Sequence, residues 1–168
     1  MVSIFNGSDN FDTAVGGADK TVSFHSVYGV SEQTITSTSL VNISDLSITM
    51  TPTNANNIII LEASISNTRG YVMSFTFLKG GSKTLSSVTT NNSNETDCHV
   101  TSYWGYHNDY SWNTMLMHKE TAGSTSSRTY TVAATSGWAG TNYTIWLNQR
   151  SAYGFGASSW FNLWEIAP

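Results

Sequence analysis

Chemistry-bearing side chains crowd most densely between Tyr103 and Trp112, in YWGYHNDYSW. Tyr103, Trp104, Tyr106, His107, Tyr110 and Trp112 lie there around a turn expected at Asn108-Asp109. Aromatic faces stack on the apolar faces of sugars while Asn, Asp and His supply hydrogen bonds, so this stretch could bind a glycan or a receptor. The same residues suit a subunit interface, because Tyr and Trp combine a large buried area with a polar tip. Interface or core is the preferred reading, for this stretch and for Trp138, Trp146, Trp160 and Trp164.

Catalytic patterns are sparse. His25, His99, His107 and His118 are too far apart for a local ligand motif such as His-x-x-x-His, so no metal site and no cofactor are expected. Glu62 and Glu165 stand within otherwise apolar runs. A carboxylate pair can serve as acid and base when its environments separate the two pKa values, but strand carboxylates more often face solvent or a polar partner. The sequence contains no Gly-x-Ser-x-Gly, P-loop or dinucleotide fingerprint, and the chain is read as non-enzymatic. The single cysteine, Cys98, allows no internal disulfide and is expected to be a small buried hydrophobe.

Composition narrows the partners. Charged residues are only 11% of the chain, less than half the usual ~25%, so the polar surface is largely uncharged. Ser, Thr and Asn supply it, at 63 of 168 residues. Seven scattered Lys and Arg against a net charge of −4 give no footprint for a phosphate backbone, which excludes nucleic acid. No basic-then-apolar leader and no apolar run of bilayer-spanning length occurs, so neither a signal peptide nor membrane insertion is expected. The Asn-x-Ser/Thr triplets at Asn6, Asn42, Asn91, Asn94 and Asn142 are chance products of this composition.

The elements that must position these residues are strands. In LVNISDLSITMTPTNANNIIILEASI, Leu46, Ile48 and Met50 alternate with Ser47, Thr49 and Thr51, the period of a half-buried strand. Pro52 cannot donate to a ladder, and with Asn54, Asn56 and Asn57 it predicts a loop over 52–57. Ile58 to Leu61 then predict a strand covered on both faces. Asn67 to Gly70 predict a turn, 71–77 a strand, and Lys79-Gly80-Gly81-Ser82 a hairpin turn. Leu85 and Val88 predict a short return strand, and further strands are expected near 98–104, 111–118, 128–135, 142–148 and 159–166. No segment carries a convincing 3.6-residue period. About ten short strands imply an all-β, two-sheet sandwich over residues 31–168, best fitted by a jelly roll whose poorly guarded edges favour an oligomer. Residues 1–30 read as a short N-terminal arm for docking, with Ile4, Phe5 and Phe11 as anchors.

Over residues 33–168 the chain resembles β-domains of tail-fibre and virion-surface proteins of tailed bacteriophages, notably those infecting marine bacteria. The likeness rests on LVNISDLSITMTPTNANNIIILEASIS and on the closing WFNLWEIAP. It implies a jelly roll related in shape to complement and tumour-necrosis-factor-like domains, usually trimeric, and transfers no catalytic residue. Unlike a long fibre, this chain has no fibrous shaft. The expectation is therefore a non-enzymatic homotrimer on the virion surface, a capsid decoration or head-fibre knob that contacts other virion proteins of the capsid or tail. It would be made in the host cytoplasm. The alternative is a receptor-binding tail-fibre tip that recognises a host surface glycan.

Overall fold

A computed structural model describes residues 22–68, 72–84, 100–103, 111–138, 141–142, 144–148 and 158–168. They form twelve strands: β1 (Val22–Gly29), β2 (Gln33–Ile35), β3 (Val41–Met50), β4 (Ile58–Thr68), β5 (Val72–Lys79), β6 (Ser82–Lys83), β7 (Val100–Tyr103), β8 (Ser111–Thr121), β9 (Arg128–Trp138), β10 (Thr141–Asn142), β11 (Ile145–Leu147) and β12 (Ser159–Ile166). No helix occurs among the described residues.

The strands divide into two six-stranded antiparallel sheets that stack as a sandwich. The first runs β1-β12-β4-β8, and β11 and β2 continue it beside the far end of β4. The second runs β3-β9-β5, with β6 and β7 on the open side of β5 and β10 folded back on β9. Among the eight strands of four residues or more the pairing is nested. First meets last (β1 with β12), second meets seventh (β3 with β9), third meets sixth (β4 with β8) and fourth meets fifth (β5 with β7). Contacts of β12 with β4 and of β9 with β5 then lay this folded hairpin out as two sheets.

Alternation decides what each sheet buries. Along β3, Leu46, Ile48 and Met50 are buried while Ser47, Thr49 and Thr51 are exposed, as the period of two predicts. Upstream the alternation breaks, because a bulge between Asn42 and Ser47, with Asp45 at φ 66°, lets Ile43 and Leu46 both enter the core. Inward side chains of the second sheet, Phe75, Phe77, Tyr130 and Val132, pack against Ile59, Leu61, Phe161 and Leu163 of the first. Phe77 and Phe161 meet across the layers with ring centroids 5.5 Å apart. The Gly80-Gly81 turn has φ of 57° and 85°, so both central residues are left-handed, as a two-residue hairpin with right-twisted strands requires.

Three expectations need amendment. Residues 22–29, assigned from sequence to the arm, are β1, paired along its full length with β12, so the sheet starts by Val22. Ile59 and Leu61 are buried, but Ile58 and Ile60 are only half-covered, so that run has one core face rather than two. Asn67, expected in a turn, is buried within β4, which continues to Thr68.

Candidate interaction surface

The outer face of the first sheet is unusual for its lack of charge. Its outward positions are Phe24, Ser26 and Tyr28 on β1; Trp160, Asn162, Trp164 and Ile166 on β12; Ile58, Ile60, Glu62 and Ser64 on β4; and Asn113, Met115, Met117, Lys119 and Thr121 on β8. Among the described residues the large hydrophobic side chains more exposed than buried are Phe24 (51%), Tyr28 (66%), Val30 (70%), Met115 (56%) and Met117 (65%). Four lie on this face, and Val30 directly follows β1. Trp160 and Trp164 are half-buried beside them, with Phe24 tilted against Trp164 at 5.3 Å. Scattered apolar residues on a surface need no explanation, but a contiguous set on one sheet face marks a place where something binds.

On the outside of the second sheet the chemistry is different. There Ser47 meets Thr131 at 2.8 Å and Thr49 meets Thr129 at 2.7 Å in cross-strand hydroxyl pairs. Further along the same face Ser74, Thr76, Leu78, Ala133 and Thr135 are all buried, so that part of the face is already covered. Such pairs satisfy themselves within the sheet and offer a partner little apolar surface.

Charged groups inside the sandwich are engaged structurally. Glu165, 1% exposed, sits inward on β12. Its Oε1 accepts hydrogen bonds from the Thr53 amide (2.6 Å), the Thr53 hydroxyl (2.9 Å) and Asn57 Nδ2 (2.6 Å), which ties the 52–57 loop to the last strand. Burial alone would raise its pKa, but the donors from Asn57 and Thr53 outweigh burial and hold the carboxyl below its ordinary value. On the other side of β4, also opposite Ile59, Glu120 on β8 accepts Tyr130 Oη at 2.6 Å and pairs with Lys79 Nζ at 2.9 Å, linking β8 to β9 and β5 across the layers. Burial pushes the Tyr130 phenol well above its usual range, and the Glu120 charge adds to that effect. Burial lowers His118, 3.9 Å from the same carboxylate, against the opposing pull of Glu120. Glu62 faces outward and Glu165 inward, so the sheet separates the two carboxylates considered as an acid–base pair. No group of three or more metal-ligating side chains occurs among the described residues.

Of the residues singled out from sequence, Tyr103 ends β7 and Trp112 lies on β8, in register with Asn67. Trp104, Tyr106, His107 and Tyr110 lie outside the described residues, as do Cys98, His99 and the arm residues Ile4, Phe5 and Phe11. Sequence reasoning passed over Phe24, Tyr28, Met115 and Met117. A usable signal was present in Met115-Leu116-Met117, where both parities of a strand are apolar, so hydrophobic side chains stand on both faces of the sheet. No protein-family model matches the chain, and a comparison with curated proteins finds no match.

Proposed function

We propose that this protein is a non-enzymatic structural component of a bacteriophage virion surface, a homotrimeric capsid decoration or head-fibre knob with a jelly-roll body. The observation that carries the self-association is the outer face of the first sheet, where Phe24, Tyr28, Met115 and Met117 stand 51–66% exposed. The nested strand pairing supports the jelly-roll part of the reading, because a single long hairpin wrapped into two sheets is how that fold is built. The virion setting rests on the sequence resemblance over residues 33–168. Multi-angle light scattering at micromolar concentration should give three times the chain mass. Particles assembled with and without the protein should differ by density at discrete surface positions. A well-folded monomer, or particles on which the protein never appears, would overturn this reading.

One observation favours the alternative of a glycan-binding fibre tip. On β1 and β12 two aromatic pairs, Phe24 with Trp164 and Tyr28 with Trp160, flank a polar pair in which Ser26 Oγ donates to Asn162 Oδ1 at 2.6 Å. Aromatic platforms separated by a polar step suit an extended sugar chain. The two readings compete for one face, so a monomer that binds host glycans in calorimetry would favour the second.

A further inference from the structure

Glu62 and Lys119 are the only charged side chains on the outward positions of β1, β12, β4 and β8 among the described residues. One is acidic and one basic. Glu62 stands between Met117 on β8 and Asn162 on β12, and Lys119 is opposite Ile60. They lie diagonally on adjacent strands of one chain, yet they form no ion pair among the described residues. We infer that a second copy of this chain covers the face and that Glu62 of each copy pairs with the partner's Lys119, fixing the register between subunits. This inference rests on the self-association proposed above and adds the contact that orders it.

Three features of the face support a second copy as the occupant. The four exposed hydrophobics on the face, 51–66% open, amount to roughly 500 Å² at about 200 Å² per side chain, and Val30 just beyond β1 adds to them. A standard interface buries ~800 Å² per partner, and the half-buried tryptophans supply the remainder. The charges are self-complementary, so a copy of the same face brings what each charge lacks. Rotation about an axis along the strands preserves height, and the two-residue offset between Glu62 and Lys119 is only ~7 Å, within reach of the long lysine stem. Charge pairs at apolar interfaces set register and reject wrong alignments more than they add affinity.

The test uses the full chain with light scattering, and circular dichroism as the control for folding. The wild type should associate, while Glu62→Lys and Lys119→Glu should each raise the dissociation constant at least tenfold. The double swap should restore association. An equimolar mixture of the two single variants should associate more tightly than either alone, because two of the three contacts in a mixed trimer then join opposite charges. A pair within one chain would give no such rescue. If a reversal variant fails to fold, Glu62→Gln and Lys119→Gln serve instead, and each should reduce the salt dependence of association. A monomeric wild type would sink the self-association reading itself. An oligomeric wild type whose single variants stay oligomeric with unchanged salt dependence would sink only the charge-pair inference.

Discussion

Glu165 is the strongest test of how the sandwich is held, because one oxygen of a buried carboxylate gathers three donors from the 52–57 loop. In Glu165→Ala the Asn57 amide, on a residue 3% exposed, keeps only its contact to the Thr53 hydroxyl, and the Thr53 amide must find water. An unsatisfied buried donor costs about 1–3 kcal/mol and a lost bond to a charged acceptor about as much, so the expected loss is roughly 3 kcal/mol. For a domain of this size that lowers Tm by about 6–12 °C. Glu165→Gln keeps an acceptor oxygen in place but removes the charge. Charge-assisted bonds are about twice as strong as neutral ones, so its cost at neutral pH should be about 1–2 kcal/mol. The folded-state pKa of Glu165 lies below its ordinary value of 4.5. Its contribution is therefore complete above pH 4.5 and is lost as pH falls through the folded pKa. Thermal unfolding of wild type and Glu165→Gln, at one protein concentration from pH 7 to pH 3, should show a gap in Tm that narrows on acidification. Equal stability at pH 7, or a gap indifferent to pH, would refute the reasoning.

Tyr130→Phe removes the 2.6 Å bond to Glu120 and should destabilise by about 1–2 kcal/mol in urea unfolding. Because the folded phenol titrates above 10.0, wild type should also lose stability as pH rises beyond that value, a loss absent from the variant. Burial lowers His118 below 6.5, so the fold should be fully stabilised above pH 6.5 and weaken as pH falls below it. His118→Gln should flatten that slope in unfolding curves between pH 7 and pH 5. Gly29→Ala would place a methyl 3.1 Å from Leu46 Cδ2 and 3.4 Å from Asn148 Nδ2. Leu46 is fully buried and must shift by a few tenths of an ångström within the packed core, so the substitution should cost about 1–3 kcal/mol by thermal unfolding.

The central part of this fold was legible because local chemistry and tertiary role agree there. Leu46, Ile48 and Met50 are both periodic and buried, Pro52 stops the ladder, and Ile58 opens β4 where the sequence places it. β1 was missed for a physical reason. Its bulkiest apolar residues, Phe24 and Tyr28, point away from the core, while Ser23, His25 and Val27 point toward it. A strand whose hydrophobic side faces outward shows no ordinary amphipathic signature. Glu165 was visible as an odd residue in an apolar strand, but its burial depends on donors 112 and 108 positions away, which no local pattern encodes. Likewise, assigning the apolar outer face needed the register of β1, β12, β4 and β8, because each strand alone contributes only two or three of its apolar residues.

The pairing of first strand with last also constrains how the protein can be made. Ser23 and Glu165 are neighbours although 142 positions separate them, so the first sheet has no complete partner for β1 until the C-terminal strand emerges from the ribosome. At ~5–20 residues per second, β1 waits on the order of ten seconds with Phe24 and Tyr28 uncovered. The innermost pair, β5 with β7, closes the shortest loop among the nested pairs and can form first, so assembly proceeds outward from the middle of the chain rather than along it. Chains that stop before Ser159 would leave β1 without its strand partner and one edge of β4 open, and such prematurely terminated products should aggregate during synthesis rather than accumulate as soluble fragments.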